Sequence, residues 1–124
     1  MANEITVSVN VSVSKGSLKY LFAPPVAQIN LTGNAAAGAV QQLSTTTEAL
    51  STIDVTTAGI GTFINLSTGT QVQVGAMSGT NFVPVLRLDP GEPAVSRMAT
   101  TALFARVTVP TNGTANLQWN VLSE

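Results

Sequence analysis

The chain opens on ten residues that alternate apolar and small polar side chains without a miss: Ile5-Thr6-Val7-Ser8-Val9-Asn10-Val11-Ser12-Val13-Ser14. A period of two is the mark of a strand with one buried face. Ten extended residues would span about 33 Å, against a usual strand of five or six residues. The five β-branched side chains on one face need cover. Either both sheets of the chain's own sandwich share this strand, or part of it meets a neighbouring subunit. The candidate inter-subunit contacts are therefore Ile5, Val7, Val9, Val11 and Val13.

Beyond Lys15-Gly16-Ser17 the pattern continues as short apolar or alternating runs separated by turn chemistry. Residues 18–22 form one run, ended by Pro24-Pro25, and residues 26–31 alternate again. Residues 35–43 are ambiguous, because three alanines favour helix while Gly33 and Gly38 interrupt it. The reading taken is a loop entering a strand at 38–43, with a turn or two of helix there or at 45–50 as the alternative. Further strands are expected at 51–57, 60–66, 71–76, 81–88, 94–98, 102–109 and 115–122. About ten short strands at this spacing, with no long helices between them, predict an all-β antiparallel sandwich or barrel in a single domain.

Three local signals are more specific. Asp89-Pro90-Gly91-Glu92 has the order of a type II turn, with proline presetting φ and glycine accepting a positive φ. Asn112-Gly113 is a hairpin signal, lengthened by Pro110. Pro84 sits inside an otherwise regular strand, which predicts an edge position or a bulge.

Composition narrows the chemistry. The 124 residues include no histidine and no cysteine, and only 9% are charged. Histidine-dependent triads, thiol nucleophiles, disulfides and thiolate metal sites cannot be built. A serine–lysine pair is confined to Ser14, Lys15, Ser17 and Lys19 beside a turn. The carboxylates of Asp89 and Glu92 bracket another turn, and no cluster of oxygen ligands suggests calcium. No catalytic, metal or cofactor-binding residue is assigned. The five basic residues form no run, so no nucleic-acid footprint is present. Neither a secretory signal nor a membrane span is expected, and the chain is read as a complete product. Aromatics make up 5%. Trp119 shares a face with Leu117 and Val121 and is expected in the core. Exposure of Trp119, Tyr20 and Phe22 together would instead suggest a carbohydrate-stacking platform. The Asn-x-Ser/Thr triplets at Asn10, Asn30, Asn65 and Asn112 are read as accidental.

Several stretches together carry a resemblance: the opening Met1-Ala2-Asn3-Glu4-Ile5-Thr6-Val7, then Phe63-Ile64-Asn65-Leu66 and Val72-Gln73-Val74-Gly75. To these are added Phe82-Val83-Pro84-Val85-Leu86-Arg87-Leu88-Asp89-Pro90-Gly91-Glu92-Pro93-Ala94 and Ala102-Leu103-Phe104-Ala105-Arg106. Over most of its length the chain resembles small virion proteins of tailed bacteriophages, of the capsid decoration or cement type. The resemblance implies a jelly-roll-like β-sandwich, a homotrimer, and a place on the outside of the capsid across major capsid proteins. Such a protein would be made in the host cytoplasm, with no small-molecule substrate, nucleic acid or membrane as partner. It brings no catalytic residues. The alternative expectation is a carbohydrate- or receptor-binding module of a head fibre or tail.

Overall fold

A computed structural model describes residues 5–30, 33, 35–52, 55–109 and 113–123. The chain divides into two compact units, Met1–Thr32 and Gly33–Glu124. Among the described residues all regular structure is strand, and every strand pairing is antiparallel.

The first unit holds β1 (Ile5–Val7), β2 (Val11–Lys15), β3 (Leu18–Phe22) and β4 (Ala27–Ile29). β2 pairs with β3 across the two-residue turn Gly16-Ser17, and β1 pairs with β4. The pairing is that of a single hairpin interrupted once. The expected unbroken strand over residues 5–14 is therefore corrected to two shorter ones. The cause lies in the opposite strand, where Pro24-Pro25 cannot donate to a ladder. Pairing stops at Phe22, resumes at Ala27 and slips by one residue between them.

The second unit holds β5 (Ala36–Leu43), β6 (Glu48–Ala49), β7 (Ala58–Asn65), β8 (Gln71–Ser78), β9 (Asn81–Leu88), β10 (Pro93–Arg97), β11 (Phe104–Val109) and β12 (Ala115–Ser123). They form two four-stranded sheets, in the orders β10-β7-β12-β5 and β6-β11-β8-β9. The pairs β8/β9, β7/β10, β6/β11 and β5/β12 are nested one inside the next. A long ribbon wound in this way into two facing sheets is a jelly roll, so the sandwich expectation holds and the barrel falls away.

The core lies between the sheets. β12, flanked on both sides by β5 and β7, alternates buried and exposed positions along nearly its whole length. Its inward residues Ala115, Leu117, Trp119 and Val121 meet Val72, Val74, Ala105 and Val107 of the opposite sheet in one cluster with Leu43, Phe63 and Leu88. Aliphatic side chains dominate, each contributing about 1.5–3 kcal/mol on full burial.

Most strand expectations are met within a residue or two. Residues 51–57 are the exception. Ser51, Thr52 and Val55–Thr57 are not strand, and the apolar Leu50 and Val55 are buried in the core cluster without belonging to a strand. A turn bond from the Val55 N–H to the Thr52 carbonyl (2.9 Å) and the Thr52 hydroxyl bond to the Thr101 carbonyl hold this crossing. The helical alternative at 45–50 is replaced by the two-residue β6. Pro84 lies on β9, an edge strand, beside a bulge between Val74 and Gly75. Gly91 has φ +80°, and the Glu92 N–H reaches the Asp89 carbonyl at 3.0 Å, as a type II turn requires. The strands flanking Asn112-Gly113 belong to different sheets, so no hairpin joins them. Asn112 itself is outside the described residues.

Candidate interaction surface

The ribbon β2/β3 has two distinct faces. Residues opposite one another in an antiparallel ladder share a face. Val11 faces Phe22, Val13 faces Tyr20 and Lys15 faces Leu18, so five large apolar side chains and one lysine lie on one side. Ser12, Ser14, Lys19 and Leu21 lie on the other. None of the apolar five is buried: Leu18 is 59% exposed, Tyr20 55%, and Val11 and Phe22 46% each. A two-stranded ribbon is marginal in water without cover, and a contiguous exposed apolar face is the kind of surface through which proteins interact, which makes it the candidate here.

Of the expected contact residues, Val11 and Val13 sit on this face, and Val9 is also exposed. Ile5 and Val7 are half-buried on β1 opposite Ile29 and Ala27. Sequence reasoning missed Leu18 and named Tyr20 and Phe22 only as stacking rings; the three complete the face. The signal was there: the apolar-rich run Leu18-Lys19-Tyr20-Leu21-Phe22 follows the turn residues Lys15-Gly16-Ser17 directly, as the second arm of a hairpin would.

In the jelly roll, Trp119 is 1% exposed, in the core as expected, and Phe63 is buried beside it. The three-aromatic platform is therefore not assembled, since only Tyr20 and Phe22 are open. Between the edge strands β9 and β10 lies an apolar cleft of about 240 Å³ lined by Val74, Val85, Leu86, Met98 and Leu103 among others. Pockets for small-molecule ligands run to about 300–1,000 Å³, so this one suits a side chain or two.

The polar candidates turn out to serve the turns. Asp89 accepts a bond from Gln71 Nε2 (2.7 Å), and Glu92 Oε2 accepts one from the Asp89 N–H (2.8 Å). Asp89 also lies 3.7 Å from exposed Arg87, an ion pair of small energetic weight. Arg106 bonds Gln73 Oε1 and stacks 4.7 Å above the Phe82 ring. Among the described residues no group of three histidine, cysteine or acidic side chains is placed to hold a metal. No helix among them is long and apolar enough to cross a membrane. Asn65, one of the four triplet asparagines, is fully buried with both ends of its amide bonded, which leaves it no room for a glycan.

No family model, curated protein or solved structure matches the chain.

Proposed function

We propose that the protein is a non-enzymatic structural protein of a bacteriophage virion, decorating or cementing the capsid as a homotrimer that binds across major capsid proteins. The observation that carries an assembly role is the uncovered apolar face of the β2/β3 ribbon, borne by a chain whose other unit is a well-packed jelly roll. A subunit that binds only the assembled shell stabilises it by mass action, without chemistry. The phage setting rests on the sequence resemblance. The site of action on this reading is the capsid surface, after synthesis in the host cytoplasm.

The test is reconstitution. Purified protein added to capsids that lack it is expected to co-sediment with them and to raise the temperature at which they release their contents. Capsids that neither bind the protein nor gain heat resistance from it would overturn the proposal.

A second reading, a carbohydrate- or receptor-binding module, is favoured by one observation: Tyr20 and Phe22 lie exposed on the same face. Glycan-array binding that is lost on replacing either ring would support it in place of cementing.

A further inference from the structure

The four edge strands of the jelly roll are unequally guarded. β9 carries Pro84 and a bulge, β10 begins with Pro93 and ends with Arg97, and β6 is only two residues long. Proline, charge, bulges and shortness are the usual protections of a sheet edge. β5 has none of them. Its eight residues, Ala-Ala-Gly-Ala-Val-Gln-Gln-Leu, include neither proline nor charge, and among the described residues it pairs with β12 alone. A long uncharged edge of this kind is a template for another strand.

Beside that edge lies a half-buried carboxylate with one unanswered oxygen. Glu48 of β6 stands opposite Ala105, which is fully inside the sandwich, so the Glu48 side chain takes the inward face. Its Oε2 is buried and has no hydrogen-bond partner among the described residues. Gln41 of β5 donates to the carbonyl of Ala49 at 3.3 Å, which sets β6 against the β5 edge. A buried carboxylate oxygen without a donor is costly, and an arriving cation would relieve it.

The β2/β3 ribbon offers the complement. Among the described residues its strands pair only with each other, which leaves an edge of each open, and it carries an apolar face with Lys15 on that same face. The first unit, Met1–Thr32, contains Lys15 and Lys19 against a single acidic side chain, Glu4. We infer that the β5 edge receives the β2/β3 ribbon of a second copy of this chain, with the Lys15 ammonium meeting the Glu48 carboxylate. The added strand extends the sheet past β5, and the ribbon's apolar face lies over the two-residue edge strand β6 of the facing sheet. This deepens the assembly reading above, because it names what the apolar face covers.

The test is a charge swap read in solution, with no capsid present. Full-length protein is followed by light scattering over a dilution series, alongside Lys15→Glu, Glu48→Lys and the double variant, each checked for folding by urea titration. The wild type is expected to associate. Each single variant, with like charges facing, is expected to weaken association by about tenfold or more. The double variant is expected to recover most of that loss, since the opposite charges again face one another. A wild type that stays monomeric at every concentration overturns the inference. So do single variants that associate as tightly as the wild type, or a folded double variant that fails to recover. Capsid binding by an obligate monomer would overturn this inference and leave the cementing role standing. Charge-swap rescue without capsid binding would do the reverse.

Discussion

The side-chain amide of Asn65 donates to the backbone carbonyl of Leu88 at 3.0 Å, which ties the end of β7 in one sheet to the end of β9 in the other. The same nitrogen bonds the Thr70 carbonyl at 2.6 Å, and Oδ1 accepts from the N–H and hydroxyl of Ser67. All four bonds are anchored on a residue with no exposed surface. Replacing it with alanine strands a buried carbonyl and removes the turn's support. Asn65→Ala is expected to destabilise the jelly roll by about 2–4 kcal/mol, read as a lowered urea midpoint with an unchanged slope. A loss below about 1 kcal/mol would show that the network is dispensable.

Gly75 lies at the β8/β9 bulge, where a Cβ would run into the Val83 carbonyl and the Pro84 Cα. Backbone cannot move aside as a flexible side chain can. Gly75→Ala is expected to cost about 2 kcal/mol or more. Gly69 is the internal control, since a Cβ there meets nothing within 4 Å and its φ is not positive. Gly69→Ala is expected to be neutral or to stabilise by up to about 1 kcal/mol, through a less flexible unfolded chain. Thermal melts of the two variants side by side check the contrast.

Trp119 is the chain's only tryptophan, so its fluorescence reports one place. With 1% exposure, its native emission is expected to be blue-shifted and poorly quenched by acrylamide. Both properties should be lost in a single step with urea. Emission already red-shifted in the native protein would contradict the placement of Trp119 between the sheets.

The apolar face of the ribbon gives a separable prediction. Tyr20→Ser with Phe22→Ser removes apolar surface that is already exposed, so the Trp119-detected urea midpoint is expected to change by no more than about 0.5 kcal/mol equivalent. Association in solution and binding of a hydrophobic dye are expected to fall sharply. A large fall in the midpoint would mean that these rings support the jelly roll itself.

Hydrogen exchange distinguishes the two units. β12 is paired on both sides and buried along alternate positions, whereas among the described residues β2 and β3 pair only with each other and are exposed throughout. Amides of β12 are expected to exchange only through global unfolding, and those of the ribbon through local opening. Protection of the ribbon that rises with protein concentration would follow from its burial on association.

What was legible in the chain was local. Alternation in residues 115–122 marks a strand with one buried face wherever it is placed, and β12 has that face inward at Leu117, Trp119 and Val121. Asp89-Pro90-Gly91-Glu92 encodes its turn through φ preferences that depend on no distant residue. The absence of histidine and cysteine removes whole classes of chemistry in whatever way the chain folds. Alternation cannot say what an apolar face meets, because the same pattern serves a core and a contact. Ile5 to Val13 read as one buried-faced strand. Only the pairing partners showed that Pro24-Pro25 splits it, and that Val11 and Val13 join Tyr20 and Phe22 on an open face. Val55 lies in a stretch that read as strand, yet it is buried outside any strand, because the chain passes there from β6 in one sheet to β7 in the other. The nesting of β5 to β12, the bare edge of β5 and the inward carboxylate of Glu48 arise from pairings between residues far apart in the chain. Every residue except proline offers the same backbone donor and acceptor, so only the closed set of pairings decides which edges are left open.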